Sequence, residues 1–231
     1  MDGILVVDKE KGWTSHDVCA LIRSRFKLTK VGHGGTLDPL ATGILIILLG
    51  KATKLFESVA ATDKQYVGTM RLGMKTDSHD CDGKIQGKAD WQHITVEQLE
   101  SVLQTFRGEI TQRPPMVSAL KHKGVRLYKL ARQGKTVDRA ERSITIHQLE
   151  LRSARLPEVD FFAHVSKGTY LRTLVHDIGE ALGCFATLMA LRRVRSGEFS
   201  LEEAVTISGL KQMDVRELSR HVRMKSFALA A

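Results

Sequence analysis

The feature that most constrains this chain is a glycine-rich segment, residues 31–43, which leads directly into an apolar run at residues 44–49. Its four glycines permit positive φ and let the backbone approach a ligand closely. Pro39 biases Asp38 toward an extended conformation and cannot donate a hydrogen bond in a central strand. The pattern predicts a rigid loop that holds the Asp38 carboxylate at the mouth of a buried strand. An ordinary Asp-Pro turn punctuated by glycines fits the pattern equally well.

Hydrophobic periodicity predicts strands and helices on both sides of this loop. Apolar or alternating runs at residues 4–7, 44–49, 64–72 and 159–166 are typical of strands. Helices are predicted after Thr14 or Ser15, after Thr95 (the first residue of a capping box) and at residues 171–182. A further helix is predicted around Leu188 and residues 191–193. The order lacks a regular βαβ rhythm, which favours an α+β fold with a mixed or antiparallel sheet.

Two further elements are predicted with less regular patterns. The apolar positions of residues 144–151 change phase along the chain, which predicts a β-bulge near Gln148. Residues 200–231 are mildly amphipathic and are predicted to be helical.

Composition limits the class of protein. At 231 residues with 42% hydrophobic residues, the chain can build one large globular domain, or one domain with a small appendage. No apolar run reaches the length of a membrane span, and the N-terminus does not resemble a signal peptide. The three cysteines are widely spaced and form no CxxC motif, which argues for reduced thiols. We therefore expect a cytoplasmic protein.

Positive charge is concentrated in one segment. The formal net charge is +9. Residues 113–142 contain nine basic residues, and only Asp138 and Glu141 oppose them. Although charged runs are usually just solvated surface, this concentration favours a polyanionic partner, and nucleic acid in particular.

Motifs for common cofactors do not match. The glycine segment lacks the lysine and spacing of a P-loop and does not fit a dinucleotide-binding fingerprint. The polar loop at residues 76–83 superficially suggests calcium, but an EF-hand frame that places Gly83 sixth puts Ala89 where the bidentate glutamate is required. A transition-metal site at His79 and Cys81 would lack a second ligand pair. We expect no metal and no organic cofactor.

Several motifs occur in a consistent order over residues 1–200. They are Asp8-Lys9-Glu10-Lys11-Gly12-Trp13-Thr14-Ser15, Gly32-His33-Gly34-Gly35-Thr36-Leu37-Asp38-Pro39-Leu40-Ala41-Thr42-Gly43, Leu72-Gly73-Met74-Lys75-Thr76-Asp77, Arg113-Pro114-Pro115, Ser118-Ala119-Leu120-Lys121, Leu127-Tyr128, Ala131-Arg132, Ser166-Lys167-Gly168-Thr169-Tyr170-Leu171-Arg172 and Leu191-Arg192-Arg193. Together they resemble the motifs of the TruB family of pseudouridine synthases. Glu10 stands where the family usually has proline, and Gly34 where it usually has threonine.

The resemblance implies the pseudouridine synthase fold, an α+β architecture with a central mixed or antiparallel sheet flanked by helices and an RNA-gripping thumb loop. It implies that the catalytic domain spans residues 1–199 with a thumb insertion at about 106–142. Residues 200–231 would then form a small helical extension, and the chain is too short for the C-terminal PUA domain of many members.

The resemblance also implies the residues of the site. Asp38 would be the catalytic aspartate, and Tyr66 would pack against the target uracil. Tyr170, Arg172 and Leu191 would line the pocket, and His33 would occupy the space that the extruded base vacates. We further expect Arg172 to lie close to Asp38, because a guanidinium favours the carboxylate form. Lys121, Lys123 and Arg126, in the thumb, are expected to contact the RNA backbone.

The implied activity is isomerisation of uridine 55 to pseudouridine in the T-arm loop of tRNA, by a monomer that needs no protein partner. Two alternatives belong to other classes. A non-catalytic RNA-binding or tRNA-folding protein would use the same basic surface, and a hydrolase would use Asp38 as its nucleophile. The hydrolase lacks a recognisable acid or base partner and leaves the basic segment unexplained.

Overall fold

A computed structural model describes residues 1–118, 120–122 and 124–223, without the side chains of Lys121 and Arg132. Fourteen strands and seven α-helices lie within this part of the chain. The strands are β1 (Gly3–Lys9), β2 (Val31–His33), β3 (Thr42–Leu49), β4 (Lys64–Leu72), β5 (Met74–Thr76), β6 (Ile85–Lys88), β7 (Gly108–Gln112), β8 (Lys121–His122), β9 (Val125–Arg126), β10 (Arg142–Arg155), β11 (Glu158–Val165), β12 (Ala186–Ser196), β13 (Phe199–Ser200) and β14 (Val205–Thr206). The helices are α1 (Ser15–Arg25), α2 (Phe56–Ala60), α3 (Val96–Thr105), α4 (Leu127–Arg132), α5 (Leu171–Ala181), α6 (Ile207–Gln212) and α7 (Val215–His221).

The chain divides into two compact units. The first unit contains residues 1–66 and the described residues from 191 onward, and the second contains residues 67–190. The boundaries fall inside β4 and β12. Among the described residues, no helix has both the length and the apolar character needed to span a bilayer.

The first unit is built around β3, whose residues are all buried from Gly43 to Leu49. β3 pairs antiparallel with β1, from Gly3 opposite Leu49 to Lys9 opposite Gly43, and β1 pairs in parallel with β14. β2 lies antiparallel to the second half of β3. On one face of these strands lies a core of aliphatic side chains and Phe199, which includes Ile4, Val6, Ile44, Ile46, Leu48, Ala52 and Val59. A strand buried on both faces explains why this run shows no polar alternation.

The second unit contains strands in the order β4, β11, β10, β7, together with the hairpins β5–β6 and β8–β9. β10 pairs antiparallel with both β11 and β7. α3 packs against β10 and α5. The predicted capping box of α3 is present, since the side chains of Thr95 and Gln98 each accept from the other's backbone N–H. The predicted bulge is also confirmed, because the β10–β11 register shifts between Ile146 and Gln148.

The prediction of an α+β fold with a mixed sheet and flanking helices is confirmed. The helix predicted around Leu188 and residues 191–193 is wrong, because this segment is strand β12. Its Arg192 and Arg193 pair in parallel with Thr42 and Gly43 of β3. Pairing with a buried strand outweighs the local pattern, since strand preference depends on neighbours more than helix preference does.

The final segment is only partly helical. It contains α6 and α7, but it also supplies β14 beside β1, and Arg223 exchanges two backbone hydrogen bonds with Ile4. Residues 224–231 lie outside the described part of the chain.

Candidate active site

The loop that carries Asp38 joins β2 to β3 and is anchored on both sides of the carboxylate. The Ser15 hydroxyl donates to the Leu37 carbonyl at 3.1 Å and accepts from the Leu37 amide at 2.9 Å. The Pro39 carbonyl accepts from the Gly12 amide at 2.8 Å. Asp38 itself is half-buried. The backbone on either side of this side chain is therefore fixed by residues at the start of α1 and just after β1.

A buried lysine supports the same loop. Lys9 is fully buried, and its ammonium donates to the carbonyls of Trp13 at 2.8 Å, Glu10 at 3.0 Å and Pro39 at 3.4 Å. Burial lowers the pKa of Lys9 to about 8, while attraction to the Asp38 carboxylate acts in the opposite direction. Lys9 is thus still mostly protonated at neutral pH. A fixed positive charge lies close enough to Asp38 to interact with it.

Two glycines around the loop are required by packing inside the protein. A Cβ on Gly43, where φ is +94°, would lie 2.2 Å from the Arg193 carbonyl oxygen. A Cβ on Gly34 would lie 2.4 Å from a methyl carbon of Val59. Gly34 differs from the usual family residue, and the Val59 side chain occupies the space that a Cβ at this position would need.

Leu191 is brought to the end of the Asp38 loop. Its carbonyl accepts from the Thr42 hydroxyl at 3.4 Å, and its side chain is 7% exposed. Tyr66, in β4, is also buried, at 7% exposure. His33 is the last residue of β2, opposite Ile47, and is half-buried. The contacts of Tyr66, Leu191 and His33 with an RNA base stay predictions.

An ion pair that sequence reasoning missed lies next to Thr42. The Arg192 guanidinium contacts both carboxylate oxygens of Asp8, at 3.0 and 2.7 Å, and lies 3.5 Å from the Thr42 hydroxyl. Both residues belong to motifs that the sequence singled out, but their separation of 184 positions hides the pairing. The bidentate interaction ties β1 to β12 beside the start of β3.

In the second unit, Arg172 is buried near the start of α5 and is 3% exposed. Its guanidinium donates to the carbonyls of Ser78 at 2.8 Å and Val117 at 2.9 Å. Its Nε lies 3.5 Å from a carboxylate oxygen of Asp80. Arg172 is therefore a buried cation held by three acceptors rather than a solvated surface charge. The expected proximity of Arg172 to Asp38 stays a prediction.

Asp80, which sequence reasoning did not single out as functional, is the organising residue of the loop at 76–83. Its carbonyl accepts from the Thr76 hydroxyl at 2.8 Å, and its carboxylate accepts from the Ser78 hydroxyl and the Asp82 amide. Its side chain is 9% exposed. The loop at residues 76–83, which superficially suggested a calcium site, therefore places the Asp80 carboxylate next to the Arg172 guanidinium. The sequence signal that could have pointed to Asp80 was its position just beyond the family motif at residues 72–77.

Tyr170 is held at the N-terminus of α5, two residues before Arg172. The Gln112 side chain bonds to the Tyr170 backbone twice, accepting from its N–H at 2.8 Å and donating to its carbonyl at 3.1 Å. The Arg142 guanidinium lies 4.7 Å from the centre of the Tyr170 ring. Gln112 and Arg142 were not predicted to support this tyrosine, because they lie on β7 and β10, far away in sequence.

The basic segment forms the β8–β9 hairpin followed by α4. Arg126 is exposed, as are the apolar side chains of Val117, Leu120 and Val125. Lys123 and the side chain of Lys121 lie outside the described residues. Within the described residues, the segment contains a short hairpin and a helix that carry exposed basic and apolar groups.

Comparisons with known proteins agree on one family. The family model described as "TruB family pseudouridylate synthase (N terminal domain)" matches residues 23–171. The model described as "tRNA pseudouridylate synthase B C-terminal domain" matches residues 172–224. Together these models span most of the chain, including Asp38 and Arg172.

Two curated relatives share one name. A protein of Syntrophotalea carbinolica named tRNA pseudouridine synthase B is 49% identical over 92% of this chain and 70% of its own length. A protein of the same name from Opitutus terrae is 42% identical over 96% of this chain and 92% of its own length.

Solved structures show the same similarity. A chain in a structure titled "Crystal Structure of a Cbf5-Nop10-Gar1 Complex" superposes with a TM-score of 0.70 at 34% identity. A chain in a structure of an H/ACA RNP bound to a substrate RNA containing 2'-deoxyuridine gives 0.67 at 31% identity. Each match covers 89% of this chain but only about half of the solved chain, 52% and 51% respectively.

Proposed function

The chain belongs to the TruB family of pseudouridylate synthases, and we propose that it isomerises uridine 55 in the T-arm loop of tRNA, with Asp38 as its catalytic residue. The family models and the relatives named tRNA pseudouridine synthase B support the activity. The observation that carries the assignment of Asp38 is the anchoring of its loop by Ser15, Gly12 and Lys9. This is the preorganisation that a catalytic group requires.

The reaction is a redox-neutral rearrangement. The N-glycosidic bond between N1 of uracil and C1′ of the ribose breaks, the base rotates, and a bond between C5 and C1′ forms. C5 loses its proton and N1 gains one, so atoms and electrons balance without ATP, a metal or an organic cofactor. The enzyme's task is to cleave one bond, hold the detached base and direct its return.

Asp38 acts as a carboxylate, since only the ionised form is a nucleophile or base. Three first steps use this group: attack on C6 of the base, attack on C1′ of the sugar, or removal of a sugar proton. The buried Lys9 supports the loop from the other side by donating to the Pro39 carbonyl. Arg172, whose orientation Asp80 and Ser78 fix, contributes a second cation to the substrate-binding residues.

The target uridine must leave its stack in the RNA, at a cost of a few kcal/mol. Tyr66 packs against the extruded base, and Tyr170 and Leu191 line the pocket that receives it. His33 occupies the space that the base leaves. The RNA backbone is gripped by the thumb at about residues 106–142, through Lys121, Lys123 and Arg126.

We also propose that the protein works in the cytoplasm as a monomer, with residues 1–199 as the catalytic domain and residues 200–231 as an extension. Cys19 and Cys184 are buried thiols, which suits a reducing compartment. Light scattering of the purified protein measures its oligomeric state directly, and a mass of one chain is expected.

Release of tritium from uridine labelled at C5 in T-arm RNA tests the proposed function. The wild-type protein should release tritium to water in proportion to pseudouridine formed, because the C5 proton leaves during isomerisation. Binding of the RNA without tritium release would instead identify a non-catalytic RNA-binding protein. Free uracil as the product would identify a hydrolase.

A further inference from the structure

The loop at residues 76–83 contains a histidine that the proposed mechanism does not use. The His79 ring stacks on the His176 ring of α5, with ring centres 4.0 Å apart and planes only 13° from parallel. The Nδ1 atoms of both rings are buried and make no hydrogen bond within the described part of the chain. Stacking and burial, rather than hydrogen bonding through Nδ1, therefore fix how the two rings face each other.

The backbone of His79 is held in a conformation that few side chains favour. Its φ is +64°, in the left-handed region, which is strained for most residues other than glycine. The His79 carbonyl accepts from the Leu188 amide at 3.2 Å, and the Leu188 carbonyl accepts from the Cys81 amide at 2.9 Å. The loop is thus bonded to the first half of β12 through the backbone on either side of Asp80.

In the sequence, His79 lies between Ser78 and Asp80, two of the residues that hold Arg172. The Ser78 carbonyl and the Asp80 carboxylate both face the Arg172 guanidinium. Arg172 and His176 are four residues apart on α5 and so lie on one face of the helix. The loop therefore contacts this face of α5 on two successive turns, through the guanidinium of Arg172 and through the ring of His176.

The charges around the two rings favour their neutral forms. Burial, together with repulsion from His176, Arg172 and Arg139, lowers the pKa of His79 to about 3. Burial also lowers the pKa of His176, with Glu180 raising it and Lys75 lowering it. Two neutral rings stack without mutual repulsion, so the ring stacking is intact at neutral pH.

We propose that His79 is a positioning residue for Arg172: its ring, stacked on His176, clamps the 76–83 loop onto α5 so that Ser78 and Asp80 fix the guanidinium in the orientation used with substrate. The inference deepens the proposed function and rests on it. Removing the ring leaves Arg172 in place as a cation but lets its two acceptors on this loop shift. The catalytic step then suffers more than RNA binding does.

The main test compares two substitutions of the same residue. His79→Asn removes the ring but keeps a residue that tolerates the left-handed region. His79→Phe keeps an aromatic ring to stack on His176. We expect His79→Asn to lower kcat for tritium release about tenfold with less than a twofold change in KM. His79→Phe should restore kcat to within about threefold of wild type.

A matched control and a double-mutant cycle separate positioning from stability. His147 lies on β10 and packs against another histidine, His164, so His147→Asn should leave kcat unchanged. In an Arg172→Lys background, His79→Asn should cost less than twofold, because the arginine it positions is gone. Circular dichroism at the assay temperature gives the folded fraction, by which every rate is divided.

The possible results are distinct. Inactive wild-type protein would overturn the proposed function and the inference with it. If the wild-type protein is active, an unchanged kcat in folded His79→Asn overturns the inference alone. Full additivity of His79→Asn and Arg172→Lys, or no recovery in folded His79→Phe, overturns it as well. If His79→Asn is too unstable to assay, His176→Asn, which removes the other ring, takes its place. Its kcat is then compared with wild type and used in the double-mutant cycle with Arg172→Lys.

Discussion

At the scale of single residues, the loop that carries Asp38 is held in place by side chains on both sides of the carboxylate. Asp38 is recognisable in the sequence because the glycines and Pro39 next to it have strong backbone consequences. The residues that support it are less visible. Lys9 and Ser15 belong to a motif, but nothing in the sequence shows that they bond to Pro39 and Leu37. Such interactions depend on tertiary structure and follow no local pattern.

Lys9→Met should change how stability depends on pH. Burial lowers the folded-state pKa of Lys9 from 10.5 to about 8, so between these values the unfolded chain binds more protons than the folded one. Stability contributed by Lys9 therefore rises with pH across this window. The wild type should gain about 3 kcal/mol relative to the variant between pH 8 and 10.5.

Urea denaturation of both proteins at a series of pH values measures this difference. Subtracting the two curves cancels the other groups that titrate in the window, because both chains carry them. Parallel curves would show that Lys9 is solvated in the folded protein and that its ammonium is not confined behind the Asp38 loop.

Arg172 and Asp80 illustrate the cost of separating a buried pair. Asp80→Asn leaves the Arg172 guanidinium buried without its carboxylate, and removing one partner of such a pair typically costs about 3–5 kcal/mol. We expect the free energy of unfolding, measured by urea denaturation, to fall by an amount in this range. Asp90→Asn, in an exposed turn, is the control and should cost less than about 0.5 kcal/mol. Equal losses of unfolding free energy in the two variants would show that Asp80 does not stabilise the buried Arg172 guanidinium.

At the scale of elements, the sequence predicts local signals well and pairing poorly. The N-cap of α1, the capping box of α3, the buried strand β3 and the bulge in β10 are each determined by residues close together in the chain. β12 was predicted to be a helix because its partner, β3, lies far away in the sequence. β14 was missed for the same reason, since its two residues are a strand only beside β1.

Gly43→Ala tests the close approach of β3 and β12. The added methyl group would lie 2.2 Å from the Arg193 carbonyl oxygen, so the paired strands must separate. We expect the unfolding free energy to fall by about 3 kcal/mol or more, and activity to disappear at assay temperatures above the lowered Tm.

Gly12→Ala is the matched control for this substitution. Gly12 also has positive φ, +87°, but a Cβ there would meet nothing within 4 Å. Its cost should be only the conformational one, about 1–2 kcal/mol. If the two variants were equally stable, steric conflict with β12 would not be the reason for glycine at position 43.

At the scale of the whole molecule, charge and family membership point to RNA. Most of the net charge of +9 lies in residues 113–142, and the family models cover nearly all of the described chain. Neither composition nor charge could have identified the reaction. That identification came from ordered motifs, because each reflects a separate requirement of the fold or the site.

Neutralising Lys121, Lys123 and Arg126 together, each to glutamine, should weaken T-arm RNA binding and flatten its salt dependence. Every phosphate that the protein no longer neutralises lowers the log–log slope by about 0.7–0.9. We expect a decrease of about 2 if all three side chains bind the backbone. Fluorescence anisotropy over a series of salt concentrations measures the slope, with Lys84 and Lys88 neutralised as the control. An unchanged slope would place the RNA-binding surface on another segment.

The central claim, that the Asp38 carboxylate performs the chemistry, is tested most directly by Asp38→Asn in the tritium-release assay. The substitution keeps the size of the side chain but removes its charge and its capacity as a nucleophile. RNA affinity should stay within about threefold of wild type, since most of it comes from phosphate contacts. Under single-turnover conditions, tritium release should fall below detection. Release by Asp38→Asn at a rate comparable to wild type would contradict the account.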